Sequence, residues 1–159
     1  HDYITVKEER THIESYLEIQ QFRYQDILDY EIQMDEEIYG YIIPKLTLQP
    51  LVENALYHGI KNKRGKGKIL ITGKKQGDKI IFQVIDNGKG MTEEELNSLR
   101  KKMAGTDTGD EAKGFGVSNV NQRIKYYYGE EYGVFFESKE NEGTNATIII
   151  AAKNIQLLS

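Results

Sequence analysis

Leu48-Gln49-Pro50-Leu51-Val52-Glu53-Asn54-Ala55-Leu56-Tyr57-His58-Gly59-Ile60 is the stretch around which the chain is organised. Leu48, Leu51, Val52, Ala55 and Leu56 recur at helical spacing and form one apolar stripe. Pro50 stands near the start, where a missing N–H costs little, and Gly59 is placed to help end the helix. At about 100° per residue, Asn54 falls away from the stripe, flanked by Tyr57 and His58, with Glu53 at the edge. The predicted helix thus has a core face and a face bearing an amide, a carboxylate and an imidazole, groups suited to polyanion or metal chemistry. An ordinary amphipathic helix with a polar outer face fits the same pattern. What separates the two readings lies downstream.

Lys68 to Lys75 and Lys79 to Ile85 read as two strands joined by the turn-rich Gln76-Gly77-Asp78. The second, Ile80-Ile81-Phe82-Gln83-Val84-Ile85, is almost continuously apolar, which predicts a central position in a sheet. It ends in Asp86-Asn87-Gly88-Lys89-Gly90-Met91. Glycines let backbone approach a ligand where no side chain intervenes. An ionised carboxylate only accepts hydrogen bonds, so Asp86 can select a base with an exocyclic amine, adenine rather than guanine. An Asn-Gly hairpin turn is the plain alternative. Gly114-Phe115-Gly116 before a predicted helix with Val117, Val120, Ile124 and Tyr127 on one face is a second anion-friendly arrangement, since free N–H groups and the positive dipole end face the loop. No Gly-x4-Gly-Lys-Ser/Thr is present, so any ATP site in this chain must be built another way. Asn54, an oxygen donor on a helix, suits Mg²⁺ that keeps waters and shares phosphate oxygens.

The rest of the chain reads around these motifs. Val6 to about Tyr24 predicts a helix, either a packed surface helix or the end of a partner-binding or dimerising element. Asp29 to Met34 alternates as a strand, and Pro44 precedes the organising helix. The cations from Lys61 to Lys68 belong to a solvated loop, with a phosphate-side role for Lys61 as the lesser alternative. Thr92 and Glu95 have capping-box spacing, so a helix runs from about Thr92 to Lys102. Met103 to Lys113 reads as a mobile loop, and Tyr132 to Ser138 and Thr144 to Ala152 as closing strands around an Asn141-Glu142-Gly143 turn.

Composition bounds the function. A chain of 159 residues supports one compact domain. With 38% hydrophobic and 29% charged residues it is globular, and a net charge of −4 argues against nucleic acid as a partner. There are no cysteines, which excludes disulfides and thiolate metal sites. No apolar run approaches the roughly 18 residues needed to cross a bilayer. The start at His1 is expected to mark a fragment, whose parent could be anchored in a membrane.

Three elements in this order are far more specific than any one. Glu53-Asn54-Ala55, Asp86-Asn87-Gly88-Lys89-Gly90-Met91 and Gly114-Phe115-Gly116-Val117-Ser118-Asn119-Val120 resemble the asparagine box and the two glycine boxes of the ATP-binding fold shared by histidine kinases, gyrase, a large heat-shock chaperone and MutL, the GHKL or HATPase type. Gln49-Pro50-Leu51-Val52-Glu53-Asn54-Ala55, His58-Gly59, Asn119-Val120, Tyr16-Leu17-Glu18-Ile19-Gln20 with Arg23, Tyr127-Tyr128-Gly129 and Gly143-Thr144 resemble LytS/YesM-type sensor histidine kinases. The likeness runs from about Val6 to Ala152.

The resemblance implies an α/β two-layer sandwich of Bergerat type: a mixed, mostly antiparallel sheet covered by helices on one face. It implies that 1–26 is the C-terminal helix of a dimerisation and phosphoacceptor region, 27–155 the ATP-binding domain and 156–159 a tail. Asn54 would coordinate Mg²⁺, and Asp86 would bind the adenine amine with Gly88, Gly90 and Met91 around the ring and Thr144 in the same polar network. Gly114, Phe115, Gly116 and Val117 would line the triphosphate, flanked by Tyr57 and His58. Glu53 stands where related ATPases carry a water-activating base, and either orients an acceptor histidine, deprotonates it, or is structural. The implied activity is transfer of the γ-phosphoryl group of Mg-ATP to an upstream histidine, of the same chain or its dimer mate, for relay to a response regulator, in the cytoplasmic part of a membrane-anchored sensor. An ATP-hydrolysing conformational switch and a degenerate nucleotide- or partner-binding module are the alternatives. Two residues depart from the pattern: Tyr57 stands where related kinases often have a cation, and Ala112 where many have a further glycine. His1, His12 and His58 all lack the Pro-His-Phe-type setting of the family's acceptor, and His12 reads as a surface residue of its helix.

Overall fold

Residues 2–61, 65–105 and 115–154 are described by a computed structural model; the side chain of Phe115 is not. The elements in chain order are β1 (Tyr3–Thr5), α1 (Val6–Arg23), β2 (Leu28–Met34), β3 (Ile42–Pro44), α2 (Gln49–Asn54), a π-helical turn (Ala55–Ile60), β4 (Gly67–Gln76), β5 (Lys79–Asp86), α3 (Glu93–Met103), α4 (Phe115–Tyr128), β6 (Gly133–Lys139) and β7 (Gly143–Ala151). Five strands form one sheet in the order β2-β4-β5-β7-β6, with β2 and β4 parallel and every other pairing antiparallel. The continuously apolar β5 is central, as its composition predicts. β1 and β3 pair separately as a two-stranded antiparallel ribbon, which the sequence reading did not anticipate. At three residues each they are too short for a periodic signal.

Alternation along the strands explains the layers. Ile69 and Ile71 of β4, Ile80, Phe82 and Val84 of β5, and Ala146, Ile148 and Ile150 of β7 are buried on one face beneath the helices. Leu70, Ile81, Ile85 and Ile149 lie half-buried on the other. One core joins the sheet to α2 (Leu51, Val52), α4 (Val117, Val120, Ile124) and α1 (Val6, Ile13, Leu17). The outer edge of β6 is closed by helix side chains, which removes a template for strand pairing. The Val134 N–H donates to Asn121 Oδ1 at 2.8 Å, and Arg100 Nη2 donates to the Phe136 carbonyl at 2.7 Å.

Local chemistry sets the helix starts. Thr5 with Glu8, and Thr92 with Glu95, form reciprocal capping boxes for α1 and α3. The first was equally legible as Thr-x-x-Glu but was not anticipated. α2 has no cap of its own: Leu48 occupies the cap position without a side-chain bond. The cap comes from α1 instead. The buried Glu9 carboxylate accepts from the N–H groups of Thr47 at 2.8 Å and Leu48 at 2.9 Å. It is therefore both the charge complement of the α2 N-terminus and the tie that fixes α1 to it. Glu9→Ala leaves two buried N–H groups without an acceptor and is expected to cost about 2–4 kcal/mol, with Glu9→Gln, which keeps an acceptor oxygen, costing less. Denaturant unfolding of the two variants checks the order.

Candidate functional site

The site is a close approach between the end of one helix and one turn. After Asn54 the helix widens into the π turn, where the Lys61 N–H reaches the Leu56 carbonyl five residues back at 3.0 Å. The sequence predicts a regular α-helix there; π turns are rare and gather at functional sites. The widened turn brings Gly59 against the turn that follows β5. The Lys89 N–H donates to the Gly59 carbonyl at 3.3 Å, and a Cβ at Gly88 would overlap the Gly59 backbone. Gly90 adopts φ +67° and lies against the Lys139 carbonyl, so both its conformation and its surroundings exclude a side chain. The turn is tied at its other end to β4, where the Lys68 N–H donates to Asn87 Oδ1 at 2.7 Å.

Asp86 ends β5 on the helix-covered side. In register it stands between Ile69 of β4 and Thr144 of β7. It is 6% exposed, and its Oδ1 accepts from the Gly88 N–H at 2.8 Å, which closes the turn on the carboxylate. Next to it runs a hydroxyl relay. Ser138 Oγ donates to the Gly143 carbonyl at 2.9 Å, accepts from the Met91 N–H at 2.9 Å, and stands 2.8 Å from Thr144 Oγ1. With the Ser138 proton given to the carbonyl, Thr144 is the donor in that last contact.

These elements enclose a cavity of about 570 Å³. Of the residues singled out from sequence, Asn54, His58, Asp86, Gly90, Met91 and Thr144 line it together. Gly88 packs behind the wall on Gly59. Gly114, Ala112 and most of the expected loop lie outside the described residues. Gly116 and Val117 sit in the first turn of α4, which already runs at Phe115; Val117 is buried, and a Cβ at Gly116 would rest 3.4 Å from Pro50 Cβ. Glu53 is not in the lining: its Oε1 accepts from Gln49 Nε2 at 3.0 Å.

Tyr57 also stands apart from the lining. Its ring and that of Tyr24 hold the Lys61 ammonium between them, at 4.6 and 4.9 Å from the centroids. Burial first, and neighbouring Tyr57 second, push the Tyr16 hydroxyl of α1 above its ordinary value. Lys61 is thus a joint between the end of α1 and the π turn, and its ammonium is directed at aromatic faces. His12 is exposed on α1.

The structure adds residues that the sequence reading passed over. Glu94, Ser98 and Lys102 of α3 form part of the cavity wall, and Lys89 adds a second cation. Their spacing of four along a helix announced by its own capping box was the available signal. Glu95 also reaches the wall, but its carboxylate is committed to the cap: the Thr92 backbone N–H, and then the Thr92 hydroxyl, hold it below the usual carboxylate range. Among the described residues no cluster of three or more His, Cys, Asp or Glu forms a metal cage.

The family model for histidine kinase-, DNA gyrase B- and HSP90-like ATPases matches residues 44–154. The chain belongs to this family. Among relatives of this ATPase-family chain, the sensor histidine kinase YesM of Bacillus subtilis (strain 168) is 35% identical over 153 residues, covering 96% of this chain and 25% of the relative. The sensor protein LytS of Bacillus anthracis is 31% identical over 150 residues, covering 94% and 25%. The chain thus spans a quarter of the length of these two relatives. The catalytic domain of the histidine kinase ThkA superimposes with a TM-score of 0.69 over 95% of this chain and 97% of that one, at 20% identity. ThkA in complex with the response regulator protein TrrA gives 0.66 over 95% and 41%, at 21% identity. The two-layer architecture with a mixed, mostly antiparallel sheet is therefore the family's fold, and the LytS/YesM resemblance stands. Among the described residues no helix is long and apolar enough to cross a membrane.

Ser138→Ala breaks the relay that ties Met91 to the β6–β7 turn. It is expected to lower stability by about 1–2 kcal/mol and to speed amide exchange at Met91 more than at the β5 core. Thermal unfolding and residue-resolved hydrogen exchange measure the two effects.

Proposed function

We propose that this domain binds Mg-ATP and transfers its γ-phosphoryl group to a histidine outside these 159 residues, for relay to a response regulator. The observation that carries the reading is the shared cavity of Asp86, Asn54 and His58, which brings a buried carboxylate together with an amide and an imidazole from the helix and π turn. Asp86 accepts from the exocyclic amine of adenine, and Gly90 and Met91 lie against the ring. Thr144 supports that end through Ser138. Asn54, with His58 beside it, faces the phosphates; Lys89 and Lys102 supply positive charge on the same wall. Mg²⁺, where bound through Asn54, neutralises charge on the phosphate oxygens.

Transfer asks little covalent work of the protein and much positioning. The lone pair of a neutral imidazole nitrogen forms a P–N bond as the bond from the γ-phosphorus to the β,γ-bridging oxygen breaks. ADP leaves with that electron pair, and the proton on the other ring nitrogen passes to a carboxylate or to water. Glu53, bonded to Gln49 on the same helix face, is assigned to orienting rather than to activating water. In this reading α1 continues an upstream dimerising and phosphoacceptor segment, and the parent is a membrane-anchored sensor whose catalytic part is cytoplasmic.

The test is a labelling experiment with γ-labelled Mg-ATP. The domain alone is expected to bind nucleotide without labelling itself. A chain extended by the upstream segment of its own parent protein should acquire acid-labile, base-stable phosphate, and faster than when that segment is supplied in trans, because tethering raises effective concentration to roughly millimolar. Self-labelling on His12 or His58 would contradict an external acceptor. Steady phosphate release without labelling of the extended chain would mark a hydrolysing switch instead.

A further inference from the structure

Gly59 meets Asp86 at a distance that no side chain tolerates. A Cβ at position 59 would lie 2.7 Å from Asp86 Oδ1, 2.9 Å from its Cγ and 3.2 Å from Oδ2. The backbone at this position does not itself call for glycine. Gly59 is not among the glycines with positive φ, and it sits within a helical segment, where alanine is the better former. The requirement comes from the carboxylate. Asp86 cannot simply turn aside: it is 6% exposed, held by the Gly88 N–H at 2.8 Å, and set between Ile69 and Thr144 in the sheet register. Nor can the π turn retreat, because its Gly59 carbonyl accepts from Lys89 and its Lys61 is clamped between Tyr24 and Tyr57.

We propose that Gly59 is a positioning residue for base selection: the space left by its missing side chain is what allows the Asp86 carboxylate to occupy the orientation that accepts from the adenine amine. The assignment rests on the nucleotide reading above and adds to it Gly59, which lines the same cavity but has no side chain of its own. Asparagine-box helix and glycine-box turn are then a single recognition unit. The amide that faces phosphate and the carboxylate that reads the base are set by one backbone contact.

Two measurements on the whole domain test this. In the first, Gly59→Ala should weaken Mg-ATP binding by about ten- to a hundredfold, the loss of one hydrogen bond to a charged group. Mg-GTP, which has no amine to offer there, should be affected less, so the ratio of the two affinities falls toward one. An unchanged ratio overturns the proposal. In the second, thermal unfolding is followed for Gly59→Ala, Asp86→Ala and the double variant. Gly59→Ala should lower the midpoint alone but not in the Asp86→Ala background, where the carboxylate is gone. Should Gly59→Ala fail to fold, recovery of folding in the double variant supports the contact and continued failure overturns it. Equal loss in both backgrounds places the strain elsewhere and also overturns it. A parent domain that binds neither nucleotide refutes the nucleotide reading, and the unfolding cycle then still decides whether Gly59 is glycine because of Asp86.

Discussion

Backbone lies on backbone where Gly59 meets Gly88, and the site depends on that contact. Helix and sheet in a two-layer fold are normally separated by side chains, which leaves no room for a turn to reach the helix main chain. Here Gly88 lies directly on the Gly59 backbone, the Lys89 N–H reaches the Gly59 carbonyl, and the turn after β5 hangs from the π turn. The cavity lies beside this contact, lined by the π turn, the turn after β5 and α3. A side chain at Gly88 would strike the Gly59 backbone, and one at Gly59 would strike the Asp86 carboxylate, so either would disturb Asp86.

That contact has to be held against motion of the helix that carries it, and the holding groups come from α1. Glu9 caps the start of α2 with a buried carboxylate, and Lys61, between the rings of Tyr24 and Tyr57, pins the end of the π turn that continues it. One buried carboxylate that accepts two backbone N–H groups at the start of α2 fixes α1 and α2 relative to each other. The apolar residues Val6, Ile13 and Leu17 seal the same joint within the common core. The family match begins at residue 44, after α1, yet the asparagine-bearing helix starts on an α1 side chain. Tyr57, a departure from the cation expected at its position, has its physical account here: its ring receives the ammonium of Lys61.

What was legible in sequence was what repeats or what a single residue type dictates. The apolar run of β5 announced a central strand, Thr92 with Glu95 announced α3, and the motifs around Asn54, Asp86 and Gly114 in that order carried the resemblance that implied a common site for Asn54 and Asp86. Asp86 and Thr144, fifty-eight positions apart, are neighbours across β5 and β7 in register. What was not legible depended on three dimensions. The π turn has the same apolar pattern as an α-helix over so few residues. Tyr57 follows Asn54 by three positions, yet faces α1 rather than the cavity, because the turn widens between them. Glu9 reads as one of many acidic residues on a charged helix, and only its burial, at 1% exposure, marks it as a cap. Ser138 is a lone serine in a strand until the Met91 N–H and the Gly143 carbonyl are seen around it.

The most direct test of the account is a backbone-amide NMR titration with Mg²⁺ and a non-hydrolysable ATP analogue. The account predicts the largest shifts at Asn54, Gly59, Gly88, Gly90 and Met91, in fast or slow exchange together, with the Arg100, Asn121 and Phe135 side of the sheet edge little affected. Shifts concentrated at that edge, around its separate cavity of about 390 Å³ and not between Gly59 and Gly90, would contradict it.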